Sequence, residues 1–243
     1  MNKYGLRNWF FRCLLLTFAF AQVVACTSSS NTTTAGAAVL IVYDTSGDTE
    51  EMTALTTLNT IMTAAGYTVT ESVGIPSGDL SGYIQIWDIR YDVPISDTDE
   101  ANYLTYVAGG GTLALTGEYP SSSGRDSSII TLIDQFGGGT IILTTPSTVQ
   151  TVQPAFTVPN TVSSVRYWDP AVDGLVDGTT TPGAGTFITE DTSGYGSAIY
   201  YAPGTLSNAT AGSLIVVFDT NFLNPNSSDY ADFYNLTGNM LAL

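Results

Sequence analysis

Two uninterrupted apolar runs set the strongest limit on how this chain can fold. They are AVLIVY at Ala38–Tyr43 and LIVVF at 214–218, and neither alternates between apolar and polar residues. Runs of this kind predict strands that are buried on both faces, as in a parallel sheet covered by helices. The chain therefore points to an α/β fold in which strands and helices alternate.

Helix signals lie between the predicted strands. DTEE at 48–51 matches a capping box, apolar residues follow it at helical spacing, and Gly66 ends that helix. Ser96 begins a second helix. Further helices are predicted at 129–136 and 230–243, and further strands at 67–71, 83–87 and 112–116.

From residue 140 to 205 the pattern changes. Short β-like runs alternate with Pro- and Gly-rich turns, at 140–143, 161–167, 186–189 and 198–201. We predict that this β-rich segment is inserted before the last strand and helix of a single domain. That domain spans 37–243 and has a mainly parallel central sheet.

The first 25 residues have the order of a secretory signal. Lys3, Arg7 and Arg12 precede an apolar run that is shorter than the roughly 20 residues needed to cross a bilayer. VVAC at 23–26 resembles the bacterial lipobox, which implies cleavage before Cys26 and attachment of lipid to its sulfur.

Cys26 is the only cysteine after this signal, so an intrachain disulfide does not explain it. Residues 26–36 follow as a polar tether rich in Ser and Thr. We therefore expect an exported protein that lipid anchors in the cell envelope, and Thr27 favours the outer membrane over the inner one. The alternative is a soluble secreted protein, because VVA at 23–25 and AFA at 19–21 also suit ordinary signal peptidase.

The charge balance narrows the partners and the chemistry. The chain has 6 Lys+Arg, 22 Asp+Glu and no His, and its basic residues after the signal are Arg90, Arg125 and Arg166. Nucleic acid is not an expected partner, because binding it needs a basic surface. Because the chain has no His, it cannot use Ser-His-Asp or Cys-His catalysis or bind zinc through His. Acid/base catalysis by carboxylates and binding of a hard cation remain possible.

Three segments together resemble exported bacterial proteins whose domain is similar to a class I glutamine amidotransferase. They are IWDIR at 86–90, GGGTLALTGE at 109–118 and LIVVFDTNFL at 214–223. The resemblance implies a flavodoxin-like three-layer sandwich over residues 37–243. It does not imply amidotransferase activity, because TGEYP at 116–120 stands where the family has Gly-x-Cys-x-Gly, and the partner His is missing.

Open parallel sheets bind their ligands at the carboxyl ends of the strands. The residues that follow predicted strands there, or lie in adjacent loops, are Asp44, Asp88, Arg90, Glu118, Arg125, Asp219 and Asn221. One interpretation is an acidic cleft with arginines that hold a ligand. We favour the structural interpretation, in which Arg90 and Arg125 neutralise carboxylates that would otherwise repel one another.

Two stretches offer several oxygens to a calcium ion. They are DTSGD at 44–48 and an Asp-rich run at 169–178. Helix capping explains Asp48, and turn chemistry explains the second stretch. We therefore predict neither a metal site nor a cofactor, with calcium as the alternative at either stretch.

The sequence thus favours a membrane-anchored envelope lipoprotein with a non-catalytic binding or structural role, whose partner is an envelope protein or a glycan. The alternative is a carboxylate-dependent hydrolase acting on glycans, which needs only two carboxylates about 5–10 Å apart. In that interpretation Glu118 is the acid or base, and Asp88 or Asp44 is its mate.

Overall fold

The fold is built on one wide sheet. A computed structural model of the chain describes residues 36–45, 49–90, 92–117, 124–167, 174–176, 182–225 and 230–243, and for 174–176 the backbone alone. The strands in these ranges are β1 (Ala38–Tyr43), β2 (Thr68–Val73), β3 (Gln85–Asp88), β4 (Thr112–Thr116), β5 (Ile142–Thr144), β6 (Val149–Val152), β7 (Ser164–Arg166), β8 (Gly174–Val176), β9 (Thr186–Glu190), β10 (Ala198–Tyr201) and β11 (Ser213–Val217). The predicted signal and Cys26 lie outside the described residues and stay predictions.

Among the described residues, nine strands join in the order β2-β1-β3-β4-β11-β10-β9-β6-β7, and β5 pairs with β8. The first five strands in this order run parallel to one another. Every residue of β3 and β11 is buried, and so are the four inner residues of β1. This double-sided burial confirms the prediction that the two apolar runs form covered strands.

Helices cover both faces of the parallel half. Those in the described ranges are α1 (Thr49–Ala64), α2 (Asp97–Ala108), α3 (Arg125–Gln135) and α4 (Tyr230–Met240). Val39 and Ile41 of β1 point to a core shared with α1 and α4, whereas Leu40 and Val42 point to a core shared with α2 and α3. Fully burying one such side chain stabilises the fold by about 1.5–3 kcal/mol. In the described part of the chain, no helix has both the length and the apolar character that crossing a membrane requires.

The start of α2 follows its predicted local signal. Ser96 is the N-cap, and its Oγ accepts a hydrogen bond from the Asp99 backbone N–H at 3.2 Å. The bond satisfies one of the N–H groups that lack an intrahelical partner, and such a cap contributes about 1 kcal/mol. It also fixes the position of Asp99, which belongs to the site described below.

The β-rich segment extends this same sheet. Strands β10, β9, β6 and β7 continue it beyond β11, and each pairs antiparallel with its neighbours. The sheet is therefore mixed, and the expectation of a mainly parallel sheet holds only for the half from β2 to β11. The short connection 191–197 returns the chain beside the strand it has just left, and such a short return allows only antiparallel pairing.

A buried polar network holds the antiparallel half together. Gln150 Oε1 accepts hydrogen bonds from Thr189 Oγ1 at 2.8 Å and from the Ser197 backbone N–H at 3.0 Å. Gln150 Nε2 donates to Ser197 Oγ at 2.7 Å, and Tyr167 OH lies 2.8 Å from Thr189 Oγ1. All four side chains are at most 1 % exposed, so these polar groups depend on partners inside the protein.

Candidate functional site

The candidate site lies at the edge of the sheet where β1, β3, β4 and β11 end. These strands are neighbours and run parallel, so their carboxyl ends meet at one edge. Asp44, Asp88 and Asp219 lie at this edge, as the strand pattern predicts. Glu118 lies outside the described residues, so its place at the edge stays a prediction.

Asp88 is the centre of a buried ion cluster. Its side chain is 0 % exposed, and Arg90 donates to it from Nε to Oδ1 at 2.9 Å and from Nη2 to Oδ2 at 2.7 Å. The Arg90 backbone N–H also donates to Oδ1, at 3.1 Å. A two-pronged contact of this kind fixes both the position and the orientation of the carboxylate.

Arg125 reaches the same carboxylate from the first residue of α3. Its Nη2 lies 3.2 Å from Asp88 Oδ1. The guanidinium also donates to three backbone carbonyls, those of Thr116, Val93 and Asp88. Arg125 therefore joins α3 to the ends of β3 and β4 and to the loop after β3.

Two residues of α2 complete the cluster. Tyr103 OH donates to Asp88 Oδ2 at 2.7 Å, and Asp99 Oδ2 accepts from Arg90 Nη2 at 3.2 Å. Two arginines thus face two aspartates, with the tyrosine as a neutral donor. Sequence reasoning missed Tyr103, because its position on α2 has the spacing of an ordinary core residue.

The surroundings keep Asp88 ionised. Burial alone would raise the pKa of this carboxyl, but the charges of Arg125 and Arg90 and the hydrogen bonds from Arg90 and Tyr103 hold its pKa down at about 2. Burial, together with the adjacent Asp88 carboxylate, holds the pKa of Tyr103 well above its ordinary value. A carboxylate without exposed surface and with a pKa of about 2 neither meets a substrate nor exchanges protons at neutral pH. This geometry agrees with the structural interpretation of the arginines.

Three carboxylates form a second cluster at the same edge. Asp44 follows β1, Glu51 lies in the first turn of α1, and Asp92 lies in the loop after β3. One carboxylate oxygen from each residue lies within 4.8 Å of those of the other two. Glu51 is 1 % exposed, whereas Asp44 and Asp92 are half-buried. Glu51 Oε1 accepts the Asp44 backbone N–H at 2.6 Å, and no described residue donates a hydrogen bond to Oε2. Carboxylate oxygens in such a group are ligands of hard cations.

Glu51 has an unusual proton affinity for a carboxyl. Loss of solvation raises its pKa to about 7, against the hydrogen bond from Asp44, and the negative charges of Asp44, Asp92 and Asp88 add to the rise. Carboxyls that titrate near neutrality are concentrated at functional sites. Sequence reasoning missed Glu51 because the capping-box pattern at 48–51 assigned it to the helix start.

Asp219 and Asn221 have a local structural role. Asp219 is 0 % exposed and caps the 3-10 helix Thr220–Leu223, where its Oδ1 accepts the Asn221 backbone N–H at 2.9 Å. Thr220 Oγ1 donates to Thr116 Oγ1 and to the Gly117 carbonyl, both at 3.0 Å. This turn therefore ties the end of β11 to the end of β4.

A shallow groove opens beside both clusters. Its volume is about 320 Å³, and it is lined by Asp44, Thr45, Val73, Gly74, Arg90 and Val93. A larger cavity of about 500 Å³ lies near Tyr83 and Tyr106, at the opposite edge, where β3 and β4 begin. The groove is the better candidate site because it adjoins the carboxyls whose proton affinities are perturbed.

Arg125→Ala is expected to lower the free energy of unfolding by about 3–5 kcal/mol, because it leaves the buried Asp88 carboxylate with a single arginine. Urea denaturation followed by circular dichroism measures the change. Arg166→Ala is the matched control, since Arg166 is exposed and its removal should cost less than about 1 kcal/mol. Equal losses in the two variants would contradict the role of the cluster.

Glu51→Gln is expected to stabilise the fold above neutral pH. The pKa of Glu51 in the fold is about 7 and its ordinary value is 4.5, so between these values the folded chain holds a proton that the unfolded chain has released. The stability carried by that proton is complete below pH 4.5 and is lost as the pH rises through 7.

The amide variant avoids this loss, so its free energy of unfolding at pH 8 should exceed that of the parent by about 1–3 kcal/mol. Urea titrations at acidic and alkaline pH, all with EDTA, measure the difference. A variant that loses as much stability as the parent on going to pH 8 would refute the assignment.

The fold has counterparts among solved structures. The mmIFT52 N-terminal domain aligns with a TM-score of 0.58 and 8 % identity, over 84 % of this chain and 97 % of its own. A ThuA-like protein from Parabacteroides merdae aligns with a TM-score of 0.51 and 10 % identity, over 85 % of this chain and 90 % of its own. A glutamine amidotransferase from Thermotoga maritima aligns with a TM-score of 0.48 and 8 % identity, over 84 % of this chain and 96 % of its own. This last structure is too distant to support an argument. At such identities the likeness concerns the fold alone. No protein-family model and no curated protein matches the sequence.

Proposed function

We propose that this chain is a lipid-anchored protein of the cell envelope whose domain binds an envelope protein or a glycan, or supports the envelope, without catalysing a reaction. The signal-like first segment, Cys26 and the Ser/Thr-rich tether support the anchoring. The acidic domain would repel anionic headgroups, so the proposed anchoring depends on the lipid alone. Thr27 supports the outer membrane as the location.

We also propose that the domain is a flavodoxin-like three-layer sandwich, of the kind seen in amidotransferase-like proteins. The parallel strands support this, since their order β2-β1-β3-β4-β11 is the 2-1-3-4-5 order of that fold. The helices on both faces of these strands agree with it.

The main support for a non-catalytic role is that charged groups at the sheet edge are buried and paired with one another. Asp88 was a candidate catalytic carboxylate, but it is buried and paired with Arg90 and Arg125. Neither arginine is thus available to activate a ligand without breaking a buried ion pair. The chain has no His, and its two cysteines are Cys13 and Cys26, so it lacks a Cys-His pair within the domain.

A binding role needs a place for the ligand, and the groove supplies one. It lies between the loops that follow β1 and β3, with Asp44 from the first and Arg90 and Val93 from the second. In the flavodoxin-like order these two strands flank the point where the chain reverses direction across the sheet, which is where such folds hold ligands.

A carboxylate-dependent hydrolase of glycans is the second candidate. Asp44 favours it, because this half-buried carboxylate lines the groove, where a substrate could reach it. Glu51 is 1 % exposed and Asp88 is 0 % exposed, so the catalytic pair would be Asp44 and Glu118.

Cys26→Ser is expected to move the protein from the membrane fraction to the soluble fraction of its native cells, because the lipid is the proposed anchor. Mass spectrometry of the mature parent should find a lipid-modified cysteine at the amino terminus. Cys13→Ser is the matched control, since Cys13 lies in the predicted signal and its loss should leave the protein on the membrane. A mature parent with an unmodified amino-terminal residue would refute the anchoring.

The purified chain is expected to release no product from envelope glycans, because Asp88 and the two arginines of the sheet edge are engaged with one another in a buried cluster. Incubation of the parent, Asp44→Asn and Glu118→Gln with reporter oligosaccharides, followed by chromatography, measures any cleavage. Hydrolysis by the parent that both variants lose would replace the non-catalytic proposal with the hydrolase.

A further inference from the structure

We propose that Asp44, Glu51 and Asp92 bind a calcium ion at the carboxyl ends of β1 and β3. Each residue offers a carboxylate oxygen, and the three oxygens lie within 4.8 Å of one another. Calcium bonds to oxygen at about 2.3–2.6 Å, so two ligands on opposite sides of the ion are about 4.6–5.2 Å apart. The observed separations therefore fit inside one calcium coordination sphere.

Glu51 provides the evidence beyond the clustering of acidic residues. Its side chain is 1 % exposed, and Oε1 is occupied by the Asp44 backbone N–H. Within the described ranges, nothing donates a hydrogen bond to Oε2. A carboxylate oxygen that is buried without a partner is costly, and a cation in contact with it would supply the partner.

The electrostatics of the group agree with a cation. One oxygen from each of the three carboxylates lies within 4.8 Å of the others, so their negative charges repel one another. A divalent ion among them would offset this repulsion, because its charge favours the ionised carboxylates. Arg90 does not take this place, since its guanidinium is engaged by Asp88 and Asp99.

The ligand set favours calcium over magnesium. Magnesium demands near-octahedral geometry with bonds of about 2.0–2.1 Å, and it usually keeps several waters and only one or two protein carboxylates. Calcium accepts more oxygens in a flexible arrangement. Three carboxylates, two of them half-buried in loops, match the second description.

The ion also has a route to the site. Asp44 and Asp92 are half-buried, and the groove beside Asp44 is open to solvent, so waters can complete the coordination. The site would give the proposed binding role a defined ligand at the edge of the sheet. It does not depend on Cys26, so the two proposals can fail separately.

Calorimetric titration of the purified full chain with CaCl2, after removal of metal with EDTA, tests the site. We expect one calcium ion to bind to each chain, and we expect magnesium, added as MgCl2, to bind with lower affinity. We also expect the melting temperature to rise by roughly 5–10 °C at a calcium concentration about 100-fold above the dissociation constant. Glu51→Gln and Asp92→Asn should each weaken calcium binding by at least about ten-fold and reduce the thermal shift.

Glu50→Gln is the matched control, because it removes an exposed carboxylate from the same turn of α1 and should keep the parent affinity. Circular dichroism in EDTA separates loss of a ligand from loss of the fold, since Glu51→Gln should be at least as stable as the parent there. The site is refuted if the parent gives neither heat nor thermal shift with calcium, or if Glu51→Gln binds as tightly as the parent. Equal weakening by Glu50→Gln would also refute it, because general negative charge would then explain the binding.

Discussion

The pairing of one buried aspartate with two arginines is the interaction on which the carboxyl-end edge of this sheet depends. Burying charges is expensive, and here the cost is offset because every oxygen of Asp88 meets a donor. Through Arg125 the same carboxylate positions α3, and through Arg90 and Tyr103 it positions α2. The loop after β3, which contributes Arg90 and Val93 to the groove, therefore depends on a single acid at the end of β3.

Much of the parallel half could be predicted, because its strands are buried on both faces and uninterrupted apolar runs report that burial directly. The predicted bounds of β1 and β4 match the observed ones, as does the cap at Ser96. Strand β6 was missed because its pattern is inverted: Val149 is exposed while Gln150 is buried in the polar network. The sharing of one sheet by both halves was also missed, since strand pairing is decided by tertiary contacts that no local pattern encodes.

The candidate site could also be predicted only in part. Asp44, Asp88, Arg90 and Arg125 could be found because the rule about strand ends needs only the strands. Glu51 and Asp92 could not, since only the fold brings their carboxylates close to Asp44 and to each other, and no local sequence pattern links the helix start to the loop after β3. Asp88 and Glu51 show this effect of the surroundings. The neighbouring arginines hold the pKa of Asp88 at about 2, whereas burial near other acids raises the pKa of Glu51 to about 7.

The position of β1 has a mechanical consequence. It is the first strand of the described chain, yet it lies inside the sheet, paired with β2 along its whole length and with β3 from Val39 to Val42. A pull directed along this strand loads the bonds on both sides in shear, so they resist together instead of opening one after another. Drag on a domain held by its amino terminus would thus be carried by two rows of hydrogen bonds in the middle of the sheet.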